Sequence, residues 1–128
     1  MNFYLILAGV LTGSVLIGHL TYSKRQYLLP IQQADFDPVV KTVIHCLFHY
    51  CSIFMLLSSL ILFACGFEAI SYMHSFGILI FIALSFGLFA IWQVYISFSS
   101  ELEKPLQSLF QWLFFTAISA FTLMGVLP

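Results

Sequence analysis

The sequence predicts an all-α integral membrane protein, a four-helix bundle forming a single transmembrane domain over residues 1–128. Three observations lead there. Hydrophobic residues make up 62% of the chain and charged residues 7%, and mean hydropathy is +1.06. A soluble domain carries about 25% charged residues, so this chain cannot cover a water-facing surface and the solvent for most of it is lipid. Secondly, four apolar runs each approach or exceed the ~20 residues that a spanning helix needs. Thirdly, these runs lack the period-two alternation of barrel strands, and inside a bilayer only helices and closed barrels satisfy their own backbone.

The first helix is expected over roughly 3–22. The opening "MNFYLILAGVLTGSVLIGHLTY" lacks the basic leader and small-x-small cleavage site of a signal peptide, and reads as a retained span. The second helix is expected over 39–65, the third over 70–98 and the fourth over 105–127. Pro38 and Pro105 stand at helix starts, where a missing N–H costs little. The connection "SKRQYLLPIQQADFDPV" is the longest and most polar; "GFEAIS" and "SSELEKP" are short.

Orientation follows from the cations. Lys24, Arg25 and Lys41 lie in or beside the first connection and Lys104 in the third, while the second connection and both ends of the chain have none. The positive-inside rule then puts the first and third connections in the cytoplasm and both termini outside it. Four Lys plus Arg in all leave no basic patch for nucleic acid. Cys46, Cys51 and Cys65 form no Cys-x-x-Cys pair and read as small apolar side chains.

The polar residues are stratified. His19 falls about 5 Å from the cytoplasmic end of the first helix, His45 about 9 Å and His49 about 15 Å into the second, at ~1.5 Å per residue. Gln93 lies near the cytoplasmic end of the third helix, and Gln107 and Gln111 lie in the first two turns of the fourth. Polar groups facing lipid are costly, so His19, His45, His49, Gln93 and Gln111 are expected to point inward and meet. Spacing i, i+4 puts His45 and His49 on one helical face. His74 is expected at the outer interface beside Glu68. Gly9 and Gly13, extended by Ser14 and Gly18, form a small-x-x-x-small ridge for close helix packing, within the bundle or against a second copy or partner subunit. Ala83 and Gly87 make a similar notch.

Four kinds of function are compatible with this set. His19 with His45 or His49 would ligate a haem b from two helices. His45, His49 and His19 would hold a transition metal, His pairs at i, i+4 being a familiar zinc arrangement. The same cluster would handle a quinone or a proton. In the fourth reading the histidines and glutamines hydrogen-bond helices together, and the protein is an accessory or structural subunit that binds a partner or its own kind in the membrane. No Ser/His/Asp set, phosphate loop or acid pair can be assembled, and the spans hold no Asp or Glu for a di-iron site.

The runs "GHLTYSKRQYLLP" and "KTVIHCLFHYCSIFMLL" resemble a group of small uncharacterised bacterial four-helix inner-membrane proteins. These share a Gly-His pair ending the first helix, a connection bearing leucine and proline, and a histidine early in the second helix. The likeness covers residues 1–65 and falls on Gly18, His19 and His45, with Ile44-His45 where the group often has Trp-His. It implies an inner-membrane bundle in which His19 and His45 matter, and no particular activity.

Overall fold

The computed structural model describes residues 1–99 and 111–127. Among them the chain is helical, without strands: α1 (Phe3–Gly18), a π-helical segment (His19–Leu28), α2 (Leu29–Gln33), α3 (Pro38–Gly66), α4 (Tyr72–Ser99) and α5 (Gln111–Val126). The continuous helix Phe3–Gln33, together with α3 and α4, is long and apolar enough to cross a membrane. The described part of α5 has 16 residues, about 24 Å at 1.5 Å per residue. The expected start of the fourth helix, with Pro105, Lys104 and Gln107, lies outside the described residues.

The surface of the described residues is largely apolar. Phe81, Leu84, Leu60 and Ile91 are each more than half exposed, while Thr12, Ser97 and Thr122 are fully buried. Large apolar side chains point out and small hydroxyls point in. Most of the buried hydroxyls donate to a carbonyl of their own helix, Thr12 to Ala8, Ser52 to Phe48 and Thr122 to Ile118 among them. No buried side-chain polar atom lacks a partner among the described residues, as a low-dielectric interior requires.

The first connection is a correction to the sequence reading. Instead of a loop over residues 23–38, the first helix runs on to Gln33, and only Ala34–Asp37 link it to α3. Lys, Arg, Gln and Leu are good helix formers; the polarity of this stretch reflects water around it, not loss of helix. The π-helical segment closes on α2 through the Leu29 N–H, which donates to the Lys24 carbonyl five residues back. Next comes Pro30, which has no N–H and whose ring crowds the carbonyl four residues before it in α geometry. Wider turns ahead of the proline ease that crowding.

The other two expectations that fall on described residues differ by one or two residues. Asp37 caps α3, its side chain accepting from the Val39 N–H at 2.8 Å, and Pro38 takes the first turn. At the other end the Ala69 N–H reaches back to the Ala64 carbonyl and the Glu68 N–H to Cys65. Glu68 adopts φ 62° to make that turn, the left-handed stop most often given to glycine.

Around the bundle the order is α3, α1, α5, α4, with α3 and α4 barely meeting. The tight end of the bundle holds the apolar core of Leu5, Ala8, Leu62, Leu79, Ile82, Phe86, Ile118 and Val126. Here the Asn2 N–H donates to Gly66 O (2.8 Å), and its side-chain amide to Gly125 O (2.7 Å). Tyr72 donates to Val126 O. Small residues let the helices touch: a Cβ on Gly66 would stand 2.7 Å from Ile6 Cγ1, and one on Gly125 2.6 Å from Leu5 Cδ2. Along the predicted ridge, Gly9 packs on the Phe63 ring and accepts from Ser59 Oγ, and Gly13 meets Ser59. That half of the ridge serves α3 of the same chain. Ser14 is exposed and bonds its own helix at Val10 O, and Gly18 has open space before it. In the notch of α4, Ser119 donates to Ala83 O and sits against Gly87.

A candidate ligand cavity at the open end

Towards the opposite end, marked by Lys24, Arg25 and Lys41, the helices part around a cavity of about 470 Å³. Phe115, which lines it, belongs to an aromatic contact shared by α3, α4 and α5. Phe54 meets Phe86 and Phe89 at 5.7 and 5.6 Å between ring centroids, and Phe115 meets the same two at 5.8 and 5.9 Å. Val15 and Gly18 of α1, Phe48, Cys51 and Met55 of α3, and Phe114 and Phe115 of α5 form the apolar walls. Polar atoms enter from His19, Tyr22 and Tyr27 of the π-helical segment, Gln93 of α4 and Gln111 of α5. No Asp, Glu, Lys or Arg lines the cavity among the described residues.

His19 opens the π-helical segment, and its imidazole is fixed against α3 in two ways. It stacks on Phe48 at 3.9 Å and 17°, and its Nε2 lies 2.9 Å from the Phe48 carbonyl oxygen. A carbonyl only accepts, so Nε2 carries the proton. In the neutral ring Nδ1 is then an acceptor, and it has no bond within the described protein. The same carbonyl also accepts from Ser52 Oγ at 3.1 Å, which ties the buried side of α3 to the imidazole.

Across the cavity, the Gln93 side-chain amide donates to Gln111 Oε1 at 3.0 Å. That bond joins α4 to α5 and leaves Gln93 Oε1 and the Gln111 amide N–H groups for another partner. His19, Gln93 and Gln111 therefore share one cavity, as expected from their stratification. Tyr22 and Tyr27, edge-to-face at 6.2 Å, belong to it as well. Their link to the site depends on the helix continuing past Tyr22.

His45 and His49 do not join this set, which corrects the expectation of one inward cluster. Their Nε2 atoms are 3.0 Å apart, as i, i+4 spacing implies, but both side chains are exposed. The inward side of α3 is taken by Phe48, Ser52, Met55, Ser58 and Ser59. Phe48 itself stands between the histidines, His19 on its face and His49 at its edge, 5.7 Å away. Among the described residues no three His, Cys, Asp or Glu side chains come close enough to share an ion. The pairing of His19 with His45 or His49 on a haem iron, and the three-histidine metal site, thus find no converged ligand set. His74 lies apart, exposed, its Nδ1 2.6 Å from Ser71 Oγ. Cys46, Cys51 and Cys65 carry free thiols.

No family model, curated protein or solved structure matches the chain.

Proposed function

We propose that this protein is an accessory membrane subunit whose cavity holds a neutral, lipid-soluble molecule with a flat hydrogen-bonding head, of the quinone class. The observation that carries the reading is the cavity itself, at about 470 Å³ within the ~300–1,000 Å³ range of small-molecule sites. Its aromatic walls suit a flat ring. Its polar groups suit ring carbonyls or hydroxyls: the Gln111 and Tyr27 donors, with Gln93 Oε1 and His19 Nδ1 as acceptors. The lack of charged side chains in its lining favours an uncharged head. The gap between α3 and α4 gives an isoprenoid-like tail a way out sideways into lipid. By the positive-inside rule this end faces the cytoplasm, in a bacterial inner membrane with both termini on the far side.

The test is direct. Lipid extracted from the purified protein is analysed for quinones by mass spectrometry, and a short-chain quinone is titrated against tryptophan fluorescence, Trp112 lying beside Gln111 and Trp92 beside Gln93. Saturable quenching is expected, weakened about tenfold when both amides are removed in Gln93→Leu/Gln111→Leu, since hydrogen bonds contribute about 0.5–1.5 kcal/mol each. Absence of quinone in the extract together with non-saturable quenching would refute the reading.

A further inference from the structure

The exposed pair His45–His49 is unused by the cavity. Two imidazoles one helical turn apart do not need to meet, yet their Nε2 atoms stand 3.0 Å from each other and their ring centroids 4.8 Å. We infer that His45 and His49 form a bidentate site for a divalent transition-metal ion that accepts cis nitrogen donors near a right angle, of the Ni²⁺ or Co²⁺ kind.

The argument is one of bite. Metal–imidazole bonds are about 2.0–2.1 Å, so two Nε2 atoms 3.0 Å apart subtend about 94° at the ion. That is close to the cis angle of octahedral or square-planar coordination. A tetrahedral ion needs the two nitrogens about 3.3 Å apart at the same bond length, so zinc fits less well without a shift. The pair is already aimed: with both rings neutral, one Nε2–H donates to the other Nε2. Moving that proton to Nδ1 of the same ring frees both Nε2 lone pairs, with no net proton released. No third His, Cys, Asp or Glu joins among the described residues. The other coordination positions therefore go to water, which suits an ion that keeps an octahedral shell.

Access fits as well. His45 follows Lys41 by one turn on α3, and the Lys41 ammonium must reach water at that end of the span. At ~1.5 Å per residue His45 lies about 6 Å and His49 about 12 Å further along α3 than Lys41, on the outside of the bundle, so an ion reaches the pair from that end without passing the cavity. Unlike the metal set expected from the sequence, this site excludes His19, and it is independent of any ligand in the cavity.

The experiment is calorimetric titration of NiCl₂ into the full-length protein, free of any histidine tag, in nanodiscs. One Ni²⁺ per chain is expected, bound more tightly than Zn²⁺. His45→Gln and His49→Gln should each weaken Ni²⁺ binding at least tenfold, whereas His74→Gln should leave it unchanged. The double variant His49→Gln/Tyr50→His keeps two imidazoles but sets them five residues apart, and it should bind no better than His49→Gln. Both side chains are exposed, so helical circular dichroism should be the same in every variant. Absence of Ni²⁺ binding, wild-type affinity in His45→Gln, or recovery in the Tyr50→His double variant would each overturn the site.

Discussion

Gly18→Phe separates ligand binding from folding. Gly18 has ordinary helical angles, φ −61° and ψ −38°, lines the cavity, and a Cβ built there meets no atom within 4 Å. A phenylalanine therefore enters empty space at the site of the proposed head group. Gly is disfavoured in a helix by about 0.8–1.0 kcal/mol relative to Ala, and Phe less so, so helix propensity alone predicts a gain of a few tenths of a kcal/mol. The ligand loses by more. A flat head the size of an aromatic side chain buries about 150–250 Å², worth about 4–6 kcal/mol at ~25 cal/mol per Å². Losing half of that contact, roughly 2–3 kcal/mol, weakens binding about 30- to 150-fold. Quinone titration by tryptophan quenching gives the affinity, and urea unfolding in the same detergent gives the stability. Wild-type affinity in Gly18→Phe would put the ligand elsewhere. Loss of stability would mean that the space before Gly18 is not open, and the cavity argument would fall with it.

Two further substitutions test the packing on which the cavity rests. Gly66→Ala pushes a Cβ to 2.7 Å from Ile6 Cγ1 and 3.1 Å from the Ile6 backbone nitrogen; overpacking of this kind costs about 1–3 kcal/mol, read as a lower urea midpoint. Gly77→Ala, with nothing within 4 Å, should instead raise the midpoint by up to about 1 kcal/mol. For the pair that joins α4 to α5, Gln93→Leu strands the amide of Gln111 and should cost about 1–3 kcal/mol, while Gln93→Leu/Gln111→Leu should recover most of the loss. A double variant no more stable than the single would show that the 3.0 Å bond is not what holds these helices together.

Much of the fold is legible in the sequence because lipid imposes a blunt rule: a long apolar run must be a helix. α3 and α4 fall within two residues of their expected bounds for that reason. The rule says nothing of helix outside lipid, so the stretch from Ser23 to Gln33, polar but rich in helix formers, read as a loop. The same gap hid Tyr27 from the site. The histidine pair shows a second limit. Spacing fixes that His45 and His49 share a face, and they do, but not which way it points. The penalty for polar groups in lipid argued that they turn inward; yet Ser52, Ser58 and Ser59 lie on the same helix and are smaller, so they fit where helices come close. Gly18 was visible only as a packing residue, because a sequence shows that a side chain is missing and not whether a neighbour fills the gap.

Asn2 carries a consequence for biogenesis. It precedes α1, which is synthesised before α3, α4 and α5, yet its side-chain amide is bonded to the carbonyl of Gly125, 123 residues later. α1 lies between α3 and α5, so the flank that meets α5 lacks that neighbour until α5 is made. During that interval Thr12 and the bare backbone at Gly9 must be shielded by lipid, by α3 alone or by an insertion factor. A chain truncated before α5 should therefore be poorly retained and quickly degraded, even though three complete spans are present.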